Sequence, residues 1–222
     1  LRRWWLASLL LLCAGLAIAA ERGDPQAGAI TFGRYCLACH GQEYQRFDRV
    51  ARDLHLDLAL WAPGRTPSAP MLSLLKPADA QRAFGSVPPD LTLIAAVRGD
   101  AWLRAFLQDF YVAPGRPLGV DNLMAPGTRM PDVLAALRGR QLRDCSQGRC
   151  VLRLEPGSGI QTAEQFARTV DDLVAYLNYS AAPERGLAWR LAPWVLGYLL
   201  LFAGLAFWLK REFWRRLPDD ER

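Results

Sequence analysis

The sequence predicts a mainly α fold with one C-terminal transmembrane helix, and three observations predict it. Apolar residues recur at helical spacing, as in Phe47, Val50, Leu54 and Leu58, and again in Phe166, Val170, Leu173, Val174 and Leu177. Stretches rich in Pro and Gly, such as "WAPGRTPSAP" and "VAPGRPLGVDNLMAPGTRM", separate the helical segments as loops. Residues 191–209, "LAPWVLGYLLLFAGLAFWL", carry no charge.

That last stretch would make a helix about 28 Å long, close to the roughly 30 Å hydrocarbon core of a bilayer. Trp189, Trp194, Trp208 and Trp214 cluster near its ends, where interfacial aromatics sit. Pro193 falls in its first turn and costs little there. Lys210, Arg211, Arg215 and Arg216 follow, so the tail 210–222 is expected on the cytoplasmic side. At the other end, Arg2 and Arg3 precede an uncharged run closing in "AIAA". This is the layout of a secretory signal peptide over residues 1–20, expected to be cleaved, with an uncleaved anchor as the alternative. Cys13 follows the bulky Leu12, which suits a signal-peptide residue rather than a lipidation site. Residues 21–182 are then expected outside the cytoplasm. Residues 183–190 form a linker to the single span.

The formal net charge is +5, yet residues 21–188 hold 19 Lys and Arg against 18 Asp and Glu. The surplus lies beside the two apolar segments, where it orients the chain, and nothing supports nucleic-acid binding.

Between these ends the elements follow in order. Asp24-Pro25 reads as an N-cap and a first-position Pro, opening a short helix toward Cys36. "EYQRFDRVARDLHLDLAL" has helical character, and "KPADAQRAFG" makes a short helix stopped by Gly85. "DLTLIAAVRG" precedes "DAWLRAFLQDFY", where Asp100 can cap and Trp102, Phe106 and Phe110 share a face. "PDVLAALRG" forms a small helix, and Thr162 with Gln165 forms a capping box before the last soluble helix. Only "CVLRLEP" looks strand-like.

The chemistry concentrates in "RYCLACHGQEYQRF". Cys36 and Cys39 lie at i and i+3, so both thiols can reach the vinyl groups of one haem, and His40 can turn its imidazole onto the iron. The rival readings are a redox dithiol, a zinc half-site or a disulfide. The first lacks a βαβ context and the second lacks a further ligand pair, while an extracytoplasmic domain suits covalent haem c.

A second axial ligand separates an electron carrier from an open, ligand-binding haem. The candidates are His55, Met71, Met124 and Met130. His55 comes 15 residues after His40 and suits a surface or helix-packing role, and Met71 suits packing. Met130 stands before Pro131, which can occupy the first turn of "PDVLAALRG" and hold the thioether at a cap position. Met130 is preferred and Met124 follows. Methionine ligation raises the potential relative to a second histidine.

On these stretches the chain resembles the cytochrome c1 family of bacteria, a monohaem cytochrome c-like domain with inserted loops. "YCLACHGQEYQRFDRVARDL", "KPADAQRAFGSVPPDLTLIAAVRGDAWLRAFLQDFY" and "DNLMAPGTRMPDVL" are similar to the family's haem-binding, middle and Met-Pro segments. "VDDLVAYLNYSAAPERGLAWRLAPWVLGYLLLFAGLAFWLKREFW" is similar to its last helix and anchor. The resemblance implies one covalent haem c with His40 and Met130 on iron, and it favours Met130 over Met124. It implies respiratory electron transfer from a Rieske iron–sulfur protein to a c-type cytochrome, beside cytochrome b in a dimeric complex. Arg98 takes the place of an arginine that approaches a haem propionate, although residue type alone suits a solvated surface equally well. The nearly neutral domain departs from the acidic face of mitochondrial members, which argues against strong steering of a basic partner.

Cys145 and Cys150 in "DCSQGRC" are expected to form a disulfide closing a small loop, with free thiols or a metal site as alternatives. Two other functions stay open on the sequence. One is a membrane-anchored cytochrome serving an oxidase or dehydrogenase, and the other is a haem-based ligand sensor.

Overall fold

Asp24 opens the first helix as expected: its carboxylate accepts from the Gln26 N–H at 2.9 Å, and Pro25 takes the first position of α1 (Pro25–Tyr35). The computed structural model describes residues 23–146 and 149–215. The expected signal peptide 1–20, with Cys13, and the last residues of the tail, 216–222, lie outside them. Two units follow one another, Leu1–Ala181 and Ala182–Arg222.

In the first unit, helices dominate. After α1 come β1 (Gln42–Arg46), α2 (Phe47–Asp53), α3 (Leu58–Trp61), β2 (Pro70–Met71), α4 (Pro77–Phe84), α5 (Ile94–Arg98) and α6 (Asp100–Gln108). Then come β3 (Phe110–Val112), β4 (Val120–Asn122), α7 (Ala135–Arg138), β5 (Gln141–Ser146), β6 (Arg149–Leu154) and α8 (Ala163–Ala181). The strands pair as three separate antiparallel couples, β1 with β2, β3 with β4 and β5 with β6. The mainly α class holds, with cysteine-clipped and loop-flanking hairpins inserted.

The capping box that opens α8 is formed in both directions. Thr162 N–H donates to Gln165 Oε1 at 2.8 Å, and Gln165 N–H donates to Thr162 Oγ1 at 3.2 Å. Its predicted apolar stripe, Phe166, Val170, Leu173, Val174 and Leu177, is buried throughout. That stripe packs on α1, where Phe32 is fully buried and meets Tyr176 ring to ring at 5.2 Å. The two helices touch at Gly28: a Cβ there would lie 1.9 Å from the Asp172 carbonyl oxygen. Only glycine permits this approach. Arg104 of α6 ties to Asp171 of α8 at 2.6 Å, and Asn178 donates to Asp100 at 2.8 Å.

Several local expectations are corrected. "EYQRF" begins as strand, not helix, because Gln42 and Gln45 turn inward to bond α8 while Gln42 and Arg46 pair with Met71 and Pro70. Helix starts at Phe47. Asp100 does not cap α6; Gly99 is the cap and the Asp100 carboxylate is taken by Asn178. Trp102 and Phe106 do stack, at 5.0 Å, and Phe110 meets Phe106 edge-on from β3. Strand β5 was not expected; it pairs with β6 in register from Gln141–Leu154 to Ser146–Arg149.

The second unit contains one helix, α9 (Arg185–Arg215), of 31 residues. It starts six residues before the expected span and absorbs most of the expected linker. An 18-residue window within it has a mean hydropathy of 1.8 and none of that window is buried. Length and composition let it cross a membrane. Lys210 lies over the Trp214 ring at 5.1 Å near the C-terminal end.

The crossing at Gly28 makes a direct prediction. Gly28→Ala should destabilise the first unit by about 2 kcal/mol, because overpacking outweighs the ~1 kcal/mol gain in helix propensity. Thermal unfolding of the purified protein followed by circular dichroism measures it; an unchanged or higher midpoint would refute the backbone contact.

Candidate haem site

Helix α1 ends where the cysteines begin. Cys36 closes it by donating its N–H to Phe32 at 2.9 Å, and the chain then coils tightly, with Cys39 and His40 N–H groups both reaching Cys36 O at 3.0 and 2.8 Å. This single turn puts two thiols and an imidazole on one side. Cys36 is buried and Cys39 half-buried, and both are free thiols. Burial, with Cys39 beside it, pushes the Cys36 thiol up to about 12. Among the described residues no group of three or more His, Cys, Asp or Glu side chains could hold a metal ion by itself.

His40 is oriented by the stretch "PPDL". Its Nδ1 lies 2.8 Å from the Pro89 carbonyl oxygen, which can only accept, so Nδ1 carries the proton and Nε2 keeps its lone pair. Burial holds the imidazole below its ordinary value, against the Pro89 bond and the nearby Asp90 charge. Asp90 itself accepts from the N–H groups of Glu43 at 2.7 Å and Thr92 at 2.8 Å. That carboxylate fastens the Pro-Pro wall to the start of β1.

These residues open on a cavity of about 280 Å³, close to the small end of pockets that take organic ligands. Its walls are mostly apolar, with Phe32 from α1, Leu103 and Phe106 from α6, and Leu173 and Leu177 from α8. Cys36, Cys39, His40, Arg98 and Met130 all line it. Residues separated by almost a hundred positions in sequence meet there. His55, Met71 and Met124 are not among its lining residues. His55 is exposed at the end of α2 with φ of 52°, Met71 is fully buried in β2, and Met124 is 40% exposed.

Met130 does not sit at a helix cap. Helix α7 begins at Ala135, and Met130-Pro131-Asp132 runs as irregular chain before it. The reason is Asp132, whose carboxylate takes the Leu134 N–H and pairs with Arg138. Arg98, at the end of α5, is exposed, and its guanidinium lies 4.8 Å over the Trp102 ring at the cavity edge.

No protein-family model matches the chain. A protein of Nitrosomonas europaea named ammonia monooxygenase gamma subunit is 35% identical over 88% of this chain and 84% of its own length. Cytochrome c1 of Allochromatium vinosum is 30% identical over 97% of this chain and 99% of its own length. The chain belongs to the cytochrome c1 family. A cytochrome b/c1 of Bradyrhizobium diazoefficiens is 25% identical over 87% of this chain but only 33% of that longer protein.

As a cytochrome c1 relative, the chain is an electron-transport haem protein with a covalently attached haem c and a membrane anchor, for which α9 is the one candidate span among the described residues. The cavity fits such a group: apolar walls, two thiols, an imidazole with a free lone pair, a thioether and a guanidinium at the edge. Three other residues at or beside the site escaped the sequence reading. Arg129 lines the cavity and donates to Phe84 O at 3.3 Å. Beside the site, and not among its lining residues, Arg138 and Asp132 form a buried pair. A signal existed for Arg138: "AAVRG" and "AALRG" are near-copies, each a short helix ending in Arg-Gly with glycine φ of 76° and 101°.

Away from the cavity, Cys145 and Cys150 are joined by a disulfide across the paired strands β5 and β6. The loop leading toward Met130 is organised by Asp121, which is nearly buried. Its carboxylate accepts from Asn122 N–H at 2.9 Å and Gly127 N–H at 2.7 Å and pairs with Arg116 at 2.7 Å. Burial pushes this carboxyl up, but those two N–H groups and the Arg116 guanidinium outweigh it and hold the group below the ordinary carboxylate value.

A depressed carboxyl contributes stability that is present above its unfolded pKa of about 4 and is lost as pH falls through the folded value. Asp121→Asn should therefore cost about 1.5–3 kcal/mol at neutral pH and remove part of the loss seen below pH ~4. Unfolding curves across the acid range measure both effects. Identical acid limbs in the two proteins would refute this role.

Proposed function

We propose that the chain is the haem-bearing electron-carrier subunit of a ubiquinol–cytochrome c reductase, not catalytic by itself. It takes one electron from a Rieske iron–sulfur protein and hands it to a c-type cytochrome, with cytochrome b as its membrane neighbour in a dimeric complex. Residues 1–20 act as a signal peptide, residues 21–182 as the periplasmic haem domain, and residues 191–209 as the hydrocarbon-spanning part of α9. Residues 210–222 stay cytoplasmic, which gives a single pass through the bacterial inner membrane. Family membership supports the complex, and the run of basic residues after the span supports the orientation.

The observation that carries this reading is that Cys36, Cys39, His40 and Met130 converge on one apolar cavity. When bound, haem c supplies a one-electron iron couple. Cys36 and Cys39 tether it, and the His40 imidazole, its Nδ1–H held by Pro89, offers Nε2 to the iron. The Met130 thioether would serve as the second protein ligand and would favour the ferrous form, raising the potential relative to a second histidine. Phe32, Leu103 and Phe106 exclude water from the buried side. Arg98 is read as a propionate contact. Two candidate iron ligands, His40 and Met130, on one cavity support electron transfer over ligand sensing.

The Nitrosomonas relative's name favours a second reading, in which the same carrier serves a different oxidoreductase assembly. Purification from the native membrane separates the two. We expect cytochrome b and a Rieske protein to accompany the chain; their absence, with oxygenase subunits in their place, would select the second reading.

For the ligand, ferric protein should show a sulfur-to-iron charge-transfer band, and the reduced protein should not bind carbon monoxide. Met130→Leu should abolish the band and admit carbon monoxide, while Met124→Leu should leave both unchanged. The reverse pattern would transfer the ligand role to Met124.

A further inference from the structure

The thioether proposed as axial ligand sits on chain that has little backbone support of its own. Pro131 has no N–H, and Met130 N–H reaches only Thr128 Oγ1, at 3.5 Å. The firm tether is two residues further on, where Asp132 meets Arg138. Both side chains are nearly buried, at 8% and 6% exposure.

Arg138 Nε donates to the carbonyl of its neighbour Gly139 at 3.4 Å, and the two Nη groups reach the end of α6 and the start of β3. Nη1 donates to the carbonyls of Leu107 at 3.4 Å and Gln108 at 3.0 Å, and Nη2 to Phe110 at 3.2 Å. The first two carbonyls belong to the last turn of α6, whose Leu103, Phe106 and Leu107 line the cavity. The guanidinium also lies 5.5 Å over the Phe166 ring of α8. One planar fork therefore joins the Met130 segment to α6, a helix that lines the cavity. Lysine, with a single ammonium on a flexible stem, cannot reproduce that spread of partners.

We infer that Arg138, acting through Asp132, is a positioning residue that holds the Met130 thioether at bonding distance from the haem iron. The inference rests on the reading of Met130 as ligand. A thioether is neutral and weakly held, so its bond to iron depends on the sulfur being kept in place by its supporting groups. If the support is loosened, the sulfur leaves while the two thioether links still retain the haem.

The test uses the full-length holoprotein from its native membrane, carrying Arg138→Lys, Asp132→Asn, both together, or Met130→Leu. Covalent haem is scored by haem stain after denaturation, ligation by the charge-transfer band and by carbon monoxide binding to the reduced form, and stability by thermal unfolding. We expect Arg138→Lys and Asp132→Asn each to keep covalent haem, lose at least half of the band and admit carbon monoxide. The double variant should be no worse than the more affected single, since the pair acts as one unit. Variants that melt earlier with the full band and no carbon monoxide binding would overturn the inference and leave Arg138 a structural strut. If Arg138→Lys does not accumulate, the near-isosteric Asp132→Asn decides; failure of both to accumulate counts against the inference. Retention of the band in Met130→Leu instead overturns the ligand reading itself.

Discussion

Helices α1 and α8 meet backbone to backbone at Gly28, and much of the first unit depends on that contact. The helices come from opposite ends of the unit, so their crossing closes the fold. It places Tyr176 against Phe32 and beneath the turn that begins at Cys36. Full burial of a ring such as Phe32 contributes about 2 kcal/mol. The cavity walls from α8, Leu173 and Leu177, follow from the same crossing, since Leu173 adjoins Asp172 and Leu177 lies little more than a turn further on.

The polar groups near this crossing do a different job. Tyr176 donates to Gln42 at 2.5 Å and Gln45 donates to the Ser180 carbonyl at 2.7 Å, all in buried surroundings. Such bonds stabilise by about 1 kcal/mol net, while an unpartnered buried polar atom costs about 1–3 kcal/mol. Gln42 Nε2, Gln45 Oε1 and Ser180 Oγ have no partner among the described residues. The network therefore contributes register more than stability: it allows β1 one seat on α8, and β1 starts two residues after His40. The haem-binding turn is held from both sides, by α1 before it and by the β1 glutamines after it.

Short-range signals were readable wherever chemistry is local. The Asp24-Pro25 start, the Gly85 stop and the Thr162–Gln165 box need only neighbouring residues, and each appears as read. Failures came where a distant partner outbid the local one. Asp100 is a good cap by type, but Asn178 takes its carboxylate. "EYQRF" has helical spacing, but pairing with Met71 and bonding to α8 make it strand. Pro131 suits a first helical turn, but the Asp132 carboxylate turns back onto the Leu134 N–H and pairs with Arg138, and the helix begins only at Ala135.

The two Arg-Gly turns mark the boundary most clearly. By itself the sequence marked "PDVLAALRG" as a small helix, and both Arg-Gly pairs end a short helix at a glycine whose positive φ other residues rarely adopt. It likewise contained the C-x-x-C-H spacing of Cys36, Cys39 and His40, since that pattern lies within five residues, and the uncharged span, since that is composition. Only the tertiary structure decided that Arg98 faces solvent over Trp102 while Arg138 is buried against Asp132 and the end of α6. Near-identical local segments received different roles because burial and hydrogen-bond partners are supplied by residues far away in sequence. The same holds for Met130, whose place at the cavity follows from the packing of α6 and the loop before α7, not from its proline neighbour.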